Sequence, residues 1–477
     1  MGNHAVLYQS PRPEIKIYKP DNNEKPILEF DTAKKSILQS YTFGTSINDQ
    51  KGKFTLTFHP NDEETSIGKE GIIDQIEILD VVEIYEYKGS SLEREVIPTF
   101  VGVIREKKYT AQFGDNGVKR ILTISGHSIV GLIHEFIINF DMRVMVMRTQ
   151  AAANKAVQDT FNLEFNKKDD LELKKLDYVI KKIWEHFILL SKGYKDLATL
   201  KIHEYLEKWI GGANEIFEID TKTKFHHPIG SIFNGNSTQT FYDVIANIVP
   251  KPLYEIFPYM DFKNGKMRMK IREIPFDMDI WHDSEKIKIT PIDPKLVKSF
   301  DVKQNDNEVY TVFFSYLRNS AIQHDLAFKL AAQEFKECPG IEVDGEKFQK
   351  YGYRPLLVTF NGFPAEGDTV TPQNIQELNK RLKEWFGEKE KMYSGTISME
   401  TNLAEDMPQP GERIAFLDGE FYVVDSEHNW SYGVAPETKI TLERGGDYSL
   451  EKFSVLNKIS KRYQEFESCI VNQLGAF

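Results

Sequence analysis

The feature that most constrains this chain is a set of β segments that occurs twice in the same order. In the first set, Gly52-Lys-Phe-Thr-Leu-Thr-Phe58 alternates polar and apolar residues at period two, as a strand with one face in a core must. Val81-Val-Glu-Ile-Tyr85 and Phe100-Val-Gly-Val-Ile104 follow, then a turn at Gly114-Asp-Asn-Gly117 and the run Ile121-Leu-Thr-Ile-Ser-Gly126. In the second set, Gly395-Thr-Ile-Ser-Met-Glu-Thr401 leads to Gly411-Glu-Arg-Ile-Ala415. Glu420-Phe-Tyr-Val-Val-Asp425, a turn and Lys439-Ile-Thr-Leu-Glu-Arg-Gly445 complete it. Short strands with regular turn signals suggest barrels, so the order predicts two related β-barrels in one chain.

Between and after these sets the period changes. Leu176, Val179, Ile180, Ile183, Trp184, Phe187 and Ile188 recur at the spacing of one buried helix face. A break at Ser191 to Tyr194 and a second helix from Asp196 to Trp209, ended by Gly211-Gly212, make a helical hairpin. A further helix carries Phe241, Val244, Ile245 and Ile248 and stops before Pro250. Strands are expected at Leu253 to Phe257 and Gly265 to Arg272, and two more between Asp301 and Leu317 about a turn at Asn305 to Asn307. Ala321 to Lys336 and Asn374 to Phe386 read as helices, as does the chain from Ser449 onward. The expected fold is therefore a β-rich α+β one: a first barrel over 1–127, a helical insertion over 128–250 and a β linking segment over 251–290. A second barrel over 291–446 holds a helical insertion at 321–387, and 447–477 form a C-terminal helix.

Composition narrows the function. At 477 residues the chain has room for about three domains. Lys and Arg total 60 against 72 Asp and Glu, a net charge of −12, which disfavours sequence-specific nucleic-acid binding. Two cysteines, Cys338 and Cys469, cannot make a disulfide scaffold or a cysteine-rich zinc module, and reduced thiols are the expectation, with one bridge between them still possible arithmetically. The first residues lack a basic stretch followed by an apolar core, so no secretory leader is expected. The longest apolar stretch, Ile129 to Phe140, is interrupted by His134 and Glu135 and is too short for membrane insertion.

Catalytic motifs are not found. His203-Glu204 opens like a zinc-protease helix, but Glu207 stands where the second His is needed. The adjacent His226 and His227 would point to opposite faces of a strand. No phosphate-binding loop or nucleophile elbow is present, and Cys338 has no neighbouring His. We therefore expect no enzyme, no catalytic residues, no cofactor and no metal. Two features suit contact instead. Lys266, Arg268, Lys270 and Arg272 share one strand face opposite Met267, Met269 and Ile271, either as a solvated face or as a dock for an acidic surface. Leu456, Ile459, Tyr463 and Phe466 form an apolar seam that packs on its own domain or on a partner.

Three stretches carry a family resemblance. Asp80-Val-Val-Glu-Ile-Tyr85, Pro98-Thr-Phe-Val-Gly-Val-Ile104 and Leu122-Thr-Ile-Ser-Gly126 resemble the first tail-tube-like barrel of baseplate hub proteins. These are the late-control protein D-like hubs of contractile phage tails, R-type bacteriocins and related contractile injection particles. Pro252 to Phe257, Asn264 to Arg272 and Pro275-Phe-Asp277 look like that family's linking segment. Glu420 to Asp425 through Thr438 to Gly446 look like its second barrel. The resemblance covers the β portions, more than half of the chain. It implies a homotrimer whose six like barrels form a pseudo-sixfold ring, adapting the sixfold tail tube to the threefold spike. The implied partners are the tail tube protein, the spike protein, the tape-measure protein and inner baseplate proteins. The implied location is the baseplate of a virion or tail-like particle, after synthesis in the bacterial cytoplasm. The helical stretches depart from the simplest members. Two other readings stay open: the hub-type part of a tail-associated lysin in a non-contractile tail, and a carbohydrate-active β-rich enzyme.

Overall fold

The computed structural model describes residues 12–32, 37–60, 72–87, 97–114, 117–138, 174–184, 209–220, 224–226, 239–249, 251–276, 281, 287–304, 306, 308–317, 341–360, 363–364, 372–401, 403–417 and 419–447. A first β unit comprises β1 (Arg12–Tyr18), β2 (Leu28–Asp31), β3 (Leu38–Ser46), β4 (Lys53–Phe58), β5 (Val81–Tyr87), β6 (Phe100–Gly114) and β7 (Gly117–Ser128). A one-turn helix α1 (Ile72–Gln75) lies between β4 and β5. Side by side the strands run β3-β4-β7-β6-β5-β1-β2. The alternation read in the sequence is the packing pattern: Phe54, Leu56 and Phe58 are buried while Lys53 is exposed.

The middle of the chain adds a second layer. Here β8 (Ile137–Ile138) pairs with β12 (Gln239–Thr240), and β10 (Phe217–Asp220), β14 (Lys266–Glu273) and β13 (Tyr254–Asp261) make a three-stranded sheet. Three short strands, β9 (Lys174–Lys175), β11 (Lys224–His226) and β20 (Phe363–Pro364), pair with one another. Helices α2 (Leu176–Trp184), α3 (Ala213–Ile216) and α4 (Phe241–Ile248) accompany them. Thr240 and Asp243 cap α4 reciprocally, each side chain accepting from the other's backbone N–H. The apolar face of α4, with Phe241, Val244, Ile245 and Ile248, is buried. Trp184, Phe217 and Phe241 meet with ring centroids 4.9 to 5.7 Å apart, and Phe136 carries this cluster into the core of the first unit.

A second β unit comprises β15 (Ile289–Pro291), β16 (Val297–Lys303), β21 (Tyr393–Glu400), β22 (Arg413–Phe416), β23 (Gly419–Ser431) and β24 (Val434–Asp447). Its order is β16-β21-β24-β23-β22-β15, which matches β3-β4-β7-β6-β5-β1 strand for strand. One difference is that β15 lies parallel to β22, whereas β1 lies antiparallel to β5. The match extends to irregularities. The β6–β7 ladder slips between Ile104 and Glu106, and the β23–β24 ladder slips between Val423 and Asp425. The β3–β4 ladder slips between Leu38 and Ser40, and the β16–β21 ladder between Val297 and Ser299. Counting across the intervening ladders from the first bulge in each unit arrives at the second, so the correspondence is fixed to the residue: Ile104 with Val423, Phe54 with Gly395, Phe43 with Val302. Two units with one order and two shared bulges are the same design used twice.

This register differs by two from the one suggested by setting Gly52 against Gly395. The two glycines serve different ends. Gly52 adopts φ +64°, whereas a Cβ on Gly395 would lie 1.9 Å from the Asp301 carbonyl oxygen across the β16–β21 ladder. Elsewhere, the two strands expected about Asn305 to Asn307 do form, but they do not pair with each other. β16 joins the second unit, and β17 (Val312–Leu317) joins a separate sheet with β18 (Ile341–Val343) and β19 (Pro355–Phe360). The stretch 321–387, read as a helical insertion, therefore contributes strands as well as helices α5 (Gly345–Tyr351) and α6 (Pro372–Phe386). The expected helices at Ala321 to Lys336 and after Ser449 lie outside the described residues, as does the hairpin beyond Trp184 up to Lys208.

Candidate functional site: the seam between the two units

Strand β23 is long enough to serve two neighbours. Its first four residues pair with β22, and its last seven, Asp425–Ser431, pair with β3 of the first unit. Both units thereby become one continuous 13-stranded sheet. The cross-strand pairs at this seam are well matched: Trp430 lies opposite Tyr41 with rings 5.5 Å apart and 10° from parallel, and His428 lies opposite Phe43. Between them the Thr42 hydroxyl donates to Asn429 Oδ1 at 2.5 Å. At the rim Lys53 Nζ sits 2.6 Å from Glu427.

A buried carboxylate pins the seam from beneath. Glu86 of β5 takes the Ala404 backbone N–H on Oε2 at 2.6 Å, and the Tyr41 hydroxyl donates to Oε1. His428 Nε2 lies 2.9 Å from the same oxygen, while its Nδ1 is 3.0 Å from Thr438 Oγ1. Burial alone would push the Glu86 pKa upward, but His428, Tyr41 and the Ala404 N–H together hold it below the ordinary carboxylate range. Burial, reinforced by the Glu86 charge, pushes the Tyr41 hydroxyl well above the usual tyrosine range. One carboxylate of the first unit is thus held by two residues of the second.

The basic row of β14 places Arg268, Lys270 and Arg272 at a cleft of about 550 Å³ between the three-stranded sheet and the second unit. Its Met267, Met269 and Ile271 face the core as expected. Each of the four cations is engaged inside the chain. Lys266 pairs with Glu215, Lys270 with Glu218 at 2.8 Å, and Arg268 reaches Asp261 at 3.4 Å together with the carbonyls of Asn214, Glu215 and Phe217. Arg272 is buried: its Nε donates to Glu255 at 2.6 Å and its Nη2 to the Gly411 carbonyl at 2.5 Å. The Tyr422 hydroxyl also donates to Glu255, at 2.6 Å, so this cluster ties the middle sheet to β23. Burial opposes the charge on Glu218, yet Lys270 and Tyr259 outweigh it and its pKa is lowered. Nearby Glu412 goes the other way, raised by burial that Lys288 only partly offsets.

Two more buried arginines sit behind the second unit. Arg413 pairs with Glu420 at 3.0 Å, and the same carboxylate accepts from Trp281 Nε1 at 2.8 Å. Arg444 lies 3.4 Å over the ring of Phe276 and donates to the Trp385 carbonyl, and burial pushes its pKa down to about 9. Among the described residues no group of three or more His, Cys, Asp or Glu side chains is placed to hold a metal, and no helix is long and apolar enough to cross a membrane.

Of the residues singled out in the sequence, Arg268, Lys270 and Arg272 come together at the cleft, Lys266 begins the same strand outside its lining, and His226 ends β11. Leu456, Ile459, Tyr463 and Phe466 lie outside the described residues, as do His203, Glu204, Glu207, His227, Cys338 and Cys469. The seam residues Tyr41, Glu86 and His428 were missed. A signal existed: Glu86 is in phase with Val82 and Ile84, and His428 with Val424 and Trp430, so each places an ionisable group on a core face.

No family profile and no curated protein matches the chain. Solved structures do. A tail protein from Neisseria meningitidis MC58 aligns with a TM-score of 0.48 at 10% identity, covering 90% of this chain and 96% of that one. The 43 kDa tail protein of prophage MuSo2 from Shewanella oneidensis gives 0.47 at 9% identity, covering 91% and 98%. The E. coli c3393 protein, described as a component of the type VI secretion system with structural similarity to the T4 tail proteins gp27 and gp5, gives 0.37 at 8% identity, covering 87% and 74%.

Proposed function

We propose that this chain is a structural baseplate hub of a contractile tail or tail-like particle, acting as a homotrimeric ring between a sixfold tail tube and a threefold spike. The observation that carries this reading is the duplicated unit fused edge to edge at the β3–β23 seam. A chain built this way is a two-unit arc. Three such arcs closed head to tail present six like units to one side while the assembly remains threefold, which is the requirement for matching two symmetries. Its role is mechanical and geometric, with the tube, spike, tape-measure and inner baseplate proteins as partners. The net charge of −12 fits a conduit whose wall repels nucleic-acid phosphates.

The test is the absolute mass in solution by light scattering, with particle images of the same peak, alone and with spike protein added. A mass of three chains and a ring outline are expected. A compact monomer that stays single in the presence of spike protein would overturn the proposal and direct work to a glycan-hydrolysis screen.

A further inference from the structure

Tyr242 of α4 gathers two basic side chains around its ring. His134, which ends the 3-10 helix Ile129–His134, stacks on it with ring centroids 3.8 Å apart and 23° from parallel. Lys251, between α4 and β13, places Nζ 3.2 Å from the Tyr242 hydroxyl and 5.7 Å from the ring centroid. The lysines met so far end on carboxylates, as Lys53, Lys266 and Lys270 do. Lys251 does not: among the described residues its amine has a phenol as hydrogen-bond partner and pairs with no acid.

The surroundings favour the neutral amine. Burial against the aromatic pair lowers the Lys251 pKa. Burial, helped by the Asp243 charge, pushes the Tyr242 hydroxyl up to about 12, and burial, helped by the Lys51 charge, brings His134 down to about 4. Both neighbours are therefore uncharged near neutral pH. Asp243, Lys51 and His127 are the titratable groups that reach this cluster, and they do so through Tyr242 and His134. Lys251 as a residue stays exposed beside a half-buried Tyr242, so a small molecule can reach the amine.

We propose that Lys251 is a nucleophilic amine site that captures small aldehydes as a Schiff base, with Tyr242 positioning the amine and relaying the proton. Taking an amine out of water against an aromatic surface keeps more of it unprotonated, and so nucleophilic. The Nζ lone pair attacks the carbonyl carbon, and the C–N bond forms as the C=O π pair moves to oxygen. That oxygen takes a proton from the nitrogen by way of the Tyr242 hydroxyl, giving a carbinolamine. Loss of its hydroxyl with a second nitrogen proton releases water and leaves the imine, so no oxidant or reductant is consumed. The site uses no residue of the seam or the cleft and does not depend on the ring reading.

The experiment treats the full chain near neutral pH with butanal, traps imines with sodium borohydride and locates alkylated lysines by peptide mass spectrometry. Lys251 is expected to react several-fold faster than the exposed Lys263 and Lys288, and to lose that advantage in urea. Tyr242→Phe keeps the ring and its stack. It is expected to slow Lys251 several-fold while Lys263 and Lys288 react as before and the melting temperature holds. Reaction of Lys251 at the rate of Lys263 and Lys288 in the folded chain would overturn the proposal, as would an equal advantage in urea. Unchanged reaction in Tyr242→Phe would overturn the role given to the hydroxyl.

Discussion

Tyr41 and Trp430, one from each end of the chain, stack across the seam with ring centroids 5.5 Å apart. Both are buried, and the Tyr41 hydroxyl continues into the carboxylate of Glu86. Trp430→Ala removes the larger ring from a filled site and should cost about 3–5 kcal/mol. Denaturant melts read by circular dichroism check this. A loss below about 1 kcal/mol would mean that the seam contributes little to stability.

The Glu86 pKa is held below its unfolded value, which gives the sign of a pH effect. As pH falls below about 4.5 the unfolded chain binds a proton that the folded chain resists, so stability drops until the folded pKa is passed. Above that window the contribution is fully present. Glu86→Gln should flatten part of the acid limb of a melting-temperature profile. Glu135, lowered despite burial by its contacts with His127 and Arg105, and Glu218, lowered by Lys270 and Tyr259, should retain their own share of it. An acid limb identical in wild type and variant would exclude the pinning role.

Arg272→Met leaves Glu255 buried without its cation and should destabilise by about 3–5 kcal/mol. The double change Arg272→Met with Glu255→Leu should cost clearly less, because no bare charge remains. A thermodynamic cycle over the two sites measures the difference. Additive costs would show that the pair is not coupled.

How much of this was legible in the sequence depends on the distance over which information must act. Alternation in Phe54, Leu56 and Phe58 and the helical stripe of α4 are local, and both were read correctly. The order of the duplicated unit was also readable, because each copy is a run of neighbouring strands. The seam was not, since Thr42 and Asn429 are separated by 387 positions and nothing local marks two strands as partners. The polar run Leu38–Ser46, with its Gln, Ser and Thr residues, gave little strand signal on its own. The basic row was recognised, but its acidic partners Glu215, Glu218 and Glu255 belong to other elements, α3, β10 and β13.

Gly126 tests the local geometry of the first unit. A Cβ there would fall 1.9 Å from the Val103 carbonyl oxygen and 2.8 Å from the Phe54 ring. Gly126→Ala should therefore force the β6–β7 ladder apart beside its bulge, costing about 1–3 kcal/mol. Hydrogen exchange should show faster exchange at β7 amides, with β24 unaffected. Equal protection in both strands would contradict the close approach.

The seam also determines how the chain bears load. Pulling the two units apart along the strand direction loads the seven paired positions of β3 and β23 together, as a lap joint does. Pulling across the sheet would instead open them one at a time from Ser40 or Ser46. The joint's long axis is therefore the direction in which the chain best resists separation of its two units.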